Sequence, residues 1–410
     1  MTVPRRVLFL TQWFEPEPVM KGLQFAQGLA AAGYEVEVAT GFPNYPTGKL
    51  APGYRLRPYA SEVMQGVRVH RLFLVPSHDA SSFGRAANYL SFFFSALVFC
   101  LLRGGRFDAV YVYHPPITVG LAAAISGLFT RTPFVLDVQD LWPDSVMVSG
   151  MGGARRLGGV LAGLCGFVYR RAALVVGQSK AMTERLIERG VSRTRAVTIF
   201  NWADEDAARA RGGYDVSALA FEGRFNFVFG GNLGRAQDLE TLVRAADLAG
   251  REVPEIQLTL VGEGMERDRL AALIAGMGSA HARLAPGVPR TQIGDIFEAA
   301  DVLILHLLDD PLFAITIPSK TQFYMAMGKP ILIGVSGEAA EVVTGCGAGF
   351  SAPPQDVSAM AAAMVRMARL PAAELAGMGR RAREAYEARF SYAAAMAATV
   401  ACLERPEVSK

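Results

Sequence analysis

Short apolar runs alternate with longer stretches of helical periodicity along nearly the whole chain, and this alternation leaves few folds open. A strand buried on both faces reads as a continuous apolar run, and a chain that returns through a helix each time builds a parallel sheet. Val7-Leu8-Phe9-Leu10 is the first such run. Residues 20–32 then put Leu23, Ala26 and Leu29 or Ala30 on one helical face, Gly33 stops the helix, and Val36, Val38 and Thr40 form the next strand. This is a β-α-β unit, which implies a right-handed crossover. Segments 109–113, 134–138 and 174–177 repeat the strand pattern, and Ser179 is placed to cap a helix closing at Gly190.

After Asn201 the pattern breaks into a polar stretch dense in Asp, Glu, Ala and Arg. A second series follows, with 226–230, 257–261, 301–305 and 330–335 as strands and 239–249 as a helix. The chain has 410 residues, more than one hydrophobic core comfortably organises. The expected fold class is therefore α/β, as two Rossmann-like, doubly wound domains facing a central cleft where strand C-termini and helix N-termini converge on a ligand. The expected boundaries are a first domain over 1–202, a linker over 203–222 and a second domain over 223–388. A helix over 389–410 is expected to pack back on the first domain.

The net charge of +3 hides an asymmetry. Residues 1–200 carry 21 Lys and Arg against 12 Asp and Glu, a balance of +9, while the remainder stands at −6. An anionic lipid or substrate is expected to favour the N-terminal half. Nucleic acid is not an expected partner, because the basic residues are scattered and no helix carries a dense Arg stripe with interleaved aromatics. Cys100, Cys165, Cys346 and Cys402 lie far apart with no C-x-x-C spacing, which argues against zinc or a disulfide framework and suits a reducing compartment. The apolar run behind the basic start is too short for a signal peptide, so a cytoplasmic location is expected.

The strongest local site is Phe229-Gly230-Gly231-Asn232-Leu233-Gly234-Arg235-Ala236-Gln237, a glycine-rich turn that leaves a strand and enters a helix. Glycines allow close backbone approach, free amides point outward, and Arg235 can fork onto two phosphate oxygens. It matches neither the Walker pattern nor G-x-G-x-x-G. A tight turn with a solvated arginine has the same local sequence. The second candidate is Ile317-Pro318-Ser319-Lys320-Thr321, where Ser319 can cap a helix running to Met327 and Lys320 sits at its positive end. Two cations on separate helix starts of one domain suit a diphosphate.

Of the histidines, His114 ends a strand just before Pro115-Pro116 and His78 precedes Asp79 in a loop, positions where general bases or sugar hydrogen-bond partners sit. A satisfied structural histidine fits either position equally. Asp204-Glu205-Asp206, Asp309-Asp310, and Asp137 with Asp140 are acidic pairs without a partner at fixed helical spacing, so no metal site is expected. Residues 89–102 contain Phe92-Phe93-Phe94 with Arg85 before and Arg103 and Arg106 after. At fourteen residues the segment is too short to span a bilayer, and it reads as a buried helix or as one lying in the membrane interface.

Taken together, several stretches resemble glycosyltransferase family 4 enzymes of the GT-B fold, and among them the bacterial surface-polysaccharide subgroup that includes fucosamine-type amino-sugar transferases. They are Gly41-Phe42-Pro43-Asn44-Tyr45-Pro46, Pro76-Ser77-His78-Asp79, Leu136-Asp137-Val138-Gln139-Asp140-Leu141-Trp142-Pro143-Asp144, Asn201-Trp202-Ala203-Asp204, Gly231-Asn232-Leu233-Gly234 and Ile315-Thr316-Ile317-Pro318-Ser319-Lys320. The resemblance implies an N-terminal domain that takes the acceptor and a C-terminal domain that takes a nucleotide sugar. It places Gly22, Gly231, Asn232, Arg235, Gln237, Ser319 and Lys320 around the donor diphosphate, with Gln237 and Asn232 where many members carry lysine and arginine. His114 falls at a position that contacts the transferred sugar, and His78 is grouped with it as catalytic. The family's Glu-x7-Glu pair is replaced by Ile315 and Phe323, leaving Gln322, Ser319 and Glu338 as partners for ribose or sugar.

The activity implied is metal-independent transfer of a sugar, an N-acetyl amino sugar by the subgroup, from a UDP-sugar to a polyprenyl-diphosphate-linked acceptor in O-antigen, capsule or exopolysaccharide assembly. No cofactor beyond the donor is implied, and the place of work is the inner face of the plasma membrane, held peripherally. The missing Glu pair also fits a catalytically reduced GT-B protein that serves as a sugar-nucleotide-binding or membrane-binding partner subunit. A sugar-nucleotide epimerase of the same architecture is less favoured, because the motif match lies elsewhere.

Overall fold

The computed structural model describes residues 5–77, 82–145 and 154–408. The chain divides into two compact units, Met1–Ile199 with Met396–Lys410, and Phe200–Ala395.

The first unit is built on an eight-stranded sheet. Its strands are β1 (Arg6–Thr11), β2 (Glu35–Gly41), β3 (Tyr59–Met64), β4 (Val67–Leu72), β5 (Ala109–His114), β6 (Phe134–Val138), β7 (Leu174–Gly177) and β8 (Ala196–Thr198), in the order β3-β4-β2-β1-β5-β6-β7-β8. All neighbours pair in parallel except β3, which runs antiparallel on β4. The alternating, half-exposed pattern of β3 marks an edge strand. Gln65 and Gly66 link it to β4 with φ of 46° and 89°, the left-handed pair that a two-residue hairpin turn requires. β1 lies between β2 and β5, so Phe9 is opposite Val38 on one side and Tyr111 on the other. The helix Leu23–Ala31 closes over this centre, with Phe25 at 5.1 Å from Phe9 and 4.9 Å from Tyr111, ring centre to ring centre. The C-terminal segment belongs to this unit, where the Arg5 guanidinium donates to the carbonyls of Leu403 at 2.5 Å and Val408 at 2.8 Å.

The second unit holds a six-stranded, wholly parallel sheet in the order β11-β10-β9-β12-β13-β14. Its strands are β9 (Phe225–Gly230), β10 (Ile256–Val261), β11 (Ala282–Ala285), β12 (Val302–His306), β13 (Ile331–Gly334) and β14 (Gly349–Ser351). Both faces are covered. Leu303 and Leu305 of β12 pack into one apolar cluster, and Val302 and Ile304 into the other. That two-sided burial is why these strands read as unbroken apolar runs.

Two expectations need correction. The polar stretch 203–222 is not a free linker but part of the second unit. Asp204 caps the short helix Glu205–Arg209, and Asp295 accepts from the amides of Gly212, Gly213 and Tyr214 at 2.7, 2.8 and 2.9 Å. Its acidic residues terminate and anchor backbone, which is why a polar composition can still fold tightly. The apolar segment around Phe92 is likewise longer than fourteen residues. It forms a 22-residue helix, Ser82–Arg103, and residues 83–106 are long and apolar enough to cross a membrane by length and composition alone.

Candidate functional site

Polar groups gather at the C-terminal edge of each sheet where the strand order reverses, the place a doubly wound fold leaves a crevice. In the second unit this point lies between β9 and β12. Gly231 follows β9 with φ of 137°, and a Cβ there would stand 2.6 Å from Lys320 Cε. The positive φ favours glycine, and the absent Cβ lets the end of Lys320 lie against it, bringing together two residues 89 positions apart in the chain. A second glycine turn backs the first: Gly262 has φ of 152°, and its Cβ would fall 1.8 Å from the Gly231 carbonyl oxygen. Val261-Gly262-Glu263-Gly264 was legible as a strand followed by two glycines, but without a basic residue it gave no signal for an anion.

Lys320 sits at the start of the helix Ser319–Met327, its Nζ 5.1 Å from the Phe229 ring centre. Burial pulls its pKa below the ordinary lysine value. The same helix buries Thr321 and Gln322. Thr321 Oγ1 and both polar atoms of the Gln322 amide have no hydrogen-bond partner. Two buried polar side chains without partners, beside a desolvated ammonium at one helix start, are the arrangement a polar ligand completes. Pro318, not Ser319, occupies the cap position, and Ser319 is exposed. Phe323, which stands where the resemblance places a carboxylate, packs on Phe297 at 5.8 Å. Glu338 is buried in the first turn of the helix Glu338–Gly345.

The other predicted residues of the glycine turn are differently placed. The Arg235 side chain is 78% exposed and its Nε lies 3.4 Å from Glu266. Asn232 is exposed, while Gln237 Oε1 accepts from the Gly234 amide at 3.1 Å and so shapes the turn. His306, which the sequence did not single out, ends β12 and braces this turn. Its Nδ1 meets the Gln237 carbonyl at 2.9 Å, and its Nε2 accepts from the Gln355 amide at 3.0 Å. Those partners require a neutral ring, and burial lowers its pKa accordingly.

In the first unit the reversal lies between β1 and β5. His114 ends β5 wholly buried, with no partner on either ring nitrogen, and burial pushes its pKa down to about 4. His78 lies outside the described residues. Beside His114, Asp137 on β6 takes the Lys21 ammonium in an ion pair buried on both sides, and accepts from Tyr111 Oη at 2.7 Å and Gln139 Nε2 at 2.6 Å. Gly22 does not offer an open phosphate cradle: Glu15 fills that space, accepting from the Leu23 amide at 2.8 Å and leaving no room for a Cβ on Gly22. Lys21 was passed over because the sequence does not disclose a partner 116 residues away. Two of the three acidic pairs supply caps, Asp310 for Leu312 and Asp204 for Ala207. Among the described residues no group of three or more His, Cys, Asp or Glu stands together as a metal cage.

His114 makes stability depend on pH in a definite direction. Its folded-state pKa lies below the unfolded value of about 6.5, so its contribution is complete above that pH and is lost as pH falls toward 4. The loss at pH 5 is expected to be about 2 kcal/mol, measurable as the difference in urea stability between pH 7.5 and 5. His114→Phe should show a loss smaller by that amount, and an identical loss in the variant would contradict the assignment.

Two doubly wound domains, each with polar groups at its switch point, are the GT-B fold. Residues 23–202 match the family described as "Glycosyl transferase 4-like domain" and residues 224–369 match "Glycosyl transferases group 1". The chain belongs to the glycosyltransferases that combine these two domains, and it is an enzyme of that kind.

Among curated proteins it is 27% identical over 307 residues to the probable glycosyltransferase WbjE of Pseudomonas aeruginosa, covering 72% of this chain and 74% of that one. It is 28% identical over 279 residues to the putative colanic acid biosynthesis glycosyl transferase WcaI of Escherichia coli K12, covering 64% and 66%. Among solved structures the fold matches HepE of Anabaena in complex with UDP and glucose, with a TM-score of 0.65 and 18% identity over 97% of this chain and 98% of that one. It also matches a UDP-forming trehalose-phosphate synthase of Burkholderia vietnamiensis, with a TM-score of 0.72 and 15% identity over 98% of each chain.

Proposed function

We propose that the protein transfers a sugar, an N-acetyl amino sugar by its resemblance, from a UDP-sugar to a polyprenyl-diphosphate-linked acceptor in surface-polysaccharide assembly. The observation that carries the donor half is the desolvated Lys320 ammonium against Gly231, with Thr321 and Gln322 unsatisfied beside it. An anion of high charge density is the ligand such a cation lacks, and an amide and a hydroxyl suit ribose or sugar oxygens. HepE, of the same fold, holds UDP and glucose. Lys320 and Arg235 neutralise the leaving diphosphate, and His114 stands ready at the strand end to hydrogen-bond a sugar hydroxyl. WbjE and WcaI, by their names, are glycosyltransferases, the second in colanic acid biosynthesis. The test is incubation of labelled UDP-sugars with membranes and purified protein, in excess EDTA. Label should pass to the lipid fraction; no transfer with any UDP-sugar overturns the reading, and transfer that needs added Mg²⁺ or Mn²⁺ overturns the metal-free part of it.

The membrane half rests on the helix Ser82–Arg103. Phe92, Phe93, Ala96, Phe99 and Cys100 face the core, whereas Phe83, Leu90, Phe94, Val98 and Leu102 are exposed. Only Phe94 of the three consecutive phenylalanines is therefore free to meet lipid, because helical periodicity turns its two neighbours inward. The helix Ile117–Thr130 packs alongside, with Thr130 against Gly104, and exposes Leu128 and Phe129. Arg106 and Arg131 lie exposed near the same end. Insertion of each exposed ring or leucine is worth about 1.5–3 kcal/mol before ordering costs. The triple substitution Phe94→Ser, Leu102→Ser and Phe129→Ser should abolish flotation with anionic liposomes at low salt while circular dichroism stays unchanged. Equal flotation of the variant and the unaltered protein would count against peripheral binding through this face.

A further inference from the structure

Among the described residues five non-glycines hold a left-handed backbone, and two of these, Asp238 with φ of 40° and Gln355 with φ of 61°, are joined through one buried imidazole at the C-terminal edge of the second sheet. Backbone in this region is strained for a residue with a side chain, and it persists only where the surroundings hold it. The holding group is His306. Its Nδ1–H donates to the Gln237 carbonyl, part of the peptide that leads into Asp238, and its Nε2 accepts from the amide of Gln355 itself.

Through these two bonds the ring reaches four loops of that edge. Gln237 ends the glycine turn after β9, and Gln355 follows β14. The Gln355 side chain accepts from the Asp309 amide after β12 at 3.1 Å, and Asp309 Oδ1 accepts from the Ser336 hydroxyl after β13 at 3.0 Å. β13 makes room for the ring with Gly334, where a Cβ would stand 2.5 Å from both His306 Cδ2 and Met360 Cε. The glycine turn has two further ties, from the Leu308 amide to the Ala236 carbonyl at 2.9 Å and from the Gly234 amide to the Gln237 side chain. Neither of those can titrate, whereas the imidazole can.

A single proton reverses the ring's role toward Gln355. A protonated imidazole carries N–H on both nitrogens, so Nε2 would face the Gln355 amide donor against donor. The carboxylates around it are already committed. Asp238 acts on the ring, less strongly than the burial that keeps it neutral, and its Oδ2 accepts from Thr241 Oγ1 at 2.6 Å. Asp309 serves Ser336, and Asp356 caps the helix Val357–Ala368 through the Ala359 amide at 2.8 Å. β13 and that helix bring Gly334 and Met360 against the ring, neither of them charged.

We infer that His306 is a positioning residue for the donor: its neutral ring holds the glycine turn in the shape that takes the diphosphate, and its protonation releases that turn together with the loop 353–356. The inference rests on the donor site proposed above, and adds the group that sets its geometry and its acid limit. Burial places the folded-state pKa below the ordinary histidine value of about 6.5, so the hold is complete above that pH and is lost as pH falls.

The test compares the unaltered protein with His306→Gln and His306→Phe. A glutamine amide can donate to Gln237 and accept from Gln355 without titrating, while phenylalanine keeps a ring and loses both bonds. By calorimetry at pH 7.5, UDP should bind His306→Phe about tenfold more weakly than the unaltered protein, and His306→Gln within about threefold of it. Between pH 7.5 and 5 the unaltered protein should lose about threefold more UDP affinity than His306→Gln, the protonation of UDP being common to both. Hydrogen exchange without nucleotide should show 231–238 and 353–356 opening together over the same range in the unaltered protein and not in His306→Gln. Should His306→Phe fail to fold by circular dichroism, the comparison of the other two proteins still decides. Parallel pH profiles, separate opening of the two segments, or undiminished UDP affinity in a folded His306→Phe overturns the inference. Absence of UDP binding to the unaltered protein would remove the donor role from the turn, and the exchange result would still judge the ring's hold on it.

Discussion

Lys320→Met is expected to do two opposite things: raise the stability of the unliganded protein and weaken UDP binding about tenfold to a hundredfold. The first effect follows from burial. The Lys320 ammonium is withdrawn from water with its pKa lowered by desolvation, and a group whose folded pKa lies below its unfolded value holds back stability at every pH below both. Methionine has nearly the same length and carries no charge, so that cost disappears at pH 7. The second effect follows from the charge-assisted bonds that an ammonium makes to a diphosphate, worth about 1.5–3 kcal/mol. Arg235→Ala should cost less, since that side chain is 78% exposed and already pairs with Glu266. Calorimetry with UDP and a melting curve decide the matter together. UDP affinity unchanged in Lys320→Met would return the helix start to an ordinary surface turn, and a fall in melting temperature would show that the ammonium has a stabilising partner.

The largest effect on stability should come from the buried pair in the first unit. Removing either member leaves the other as a buried charge without its counter-ion, which costs about 3–5 kcal/mol. Asp137→Ala should be the worse of the two, because it also removes the carboxylate that accepts from the Tyr111 hydroxyl and the Gln139 amide. Lys21→Met with Asp137→Asn should recover much of the loss, since the amide still accepts from Tyr111 and no charge remains. The measurement is a double-substitution cycle in urea. Additive losses, or single losses below about 1 kcal/mol, would show that the pair is solvated in a way its burial does not suggest.

Much of the proposed donor site was legible because its signals are local. Gly230-Gly231 after an apolar run, and Pro318-Ser319-Lys320 before a helical one, each declare a turn suited to an anion without reference to the rest of the chain. What could not be read was which cation is withdrawn from water. Arg235 and Lys320 look alike in sequence, both basic and both at a helix start, and the packing of Gly231 and Phe229 around Lys320 makes them unlike. The same holds for Phe92, Phe93 and Phe94, identical in sequence and separated into two core rings and one exposed ring by the angle at which their helix meets its neighbours.

Taken by itself, the sequence determined the two parallel sheets, the strands that run unbroken at their centres, and the turns at which each sheet reverses. These follow from periodicity and from glycine and proline, whose effects extend over only a few residues. Tertiary structure alone decided the Lys21–Asp137 pair, the bracing of the glycine turn by His306, and the occupation of the Gly22 helix end by Glu15. Apart from the short reach of Glu15 to Gly22, each of these joins residues tens of positions apart. Their energies depend on burial and distance, which exist only once the strands that carry them lie side by side.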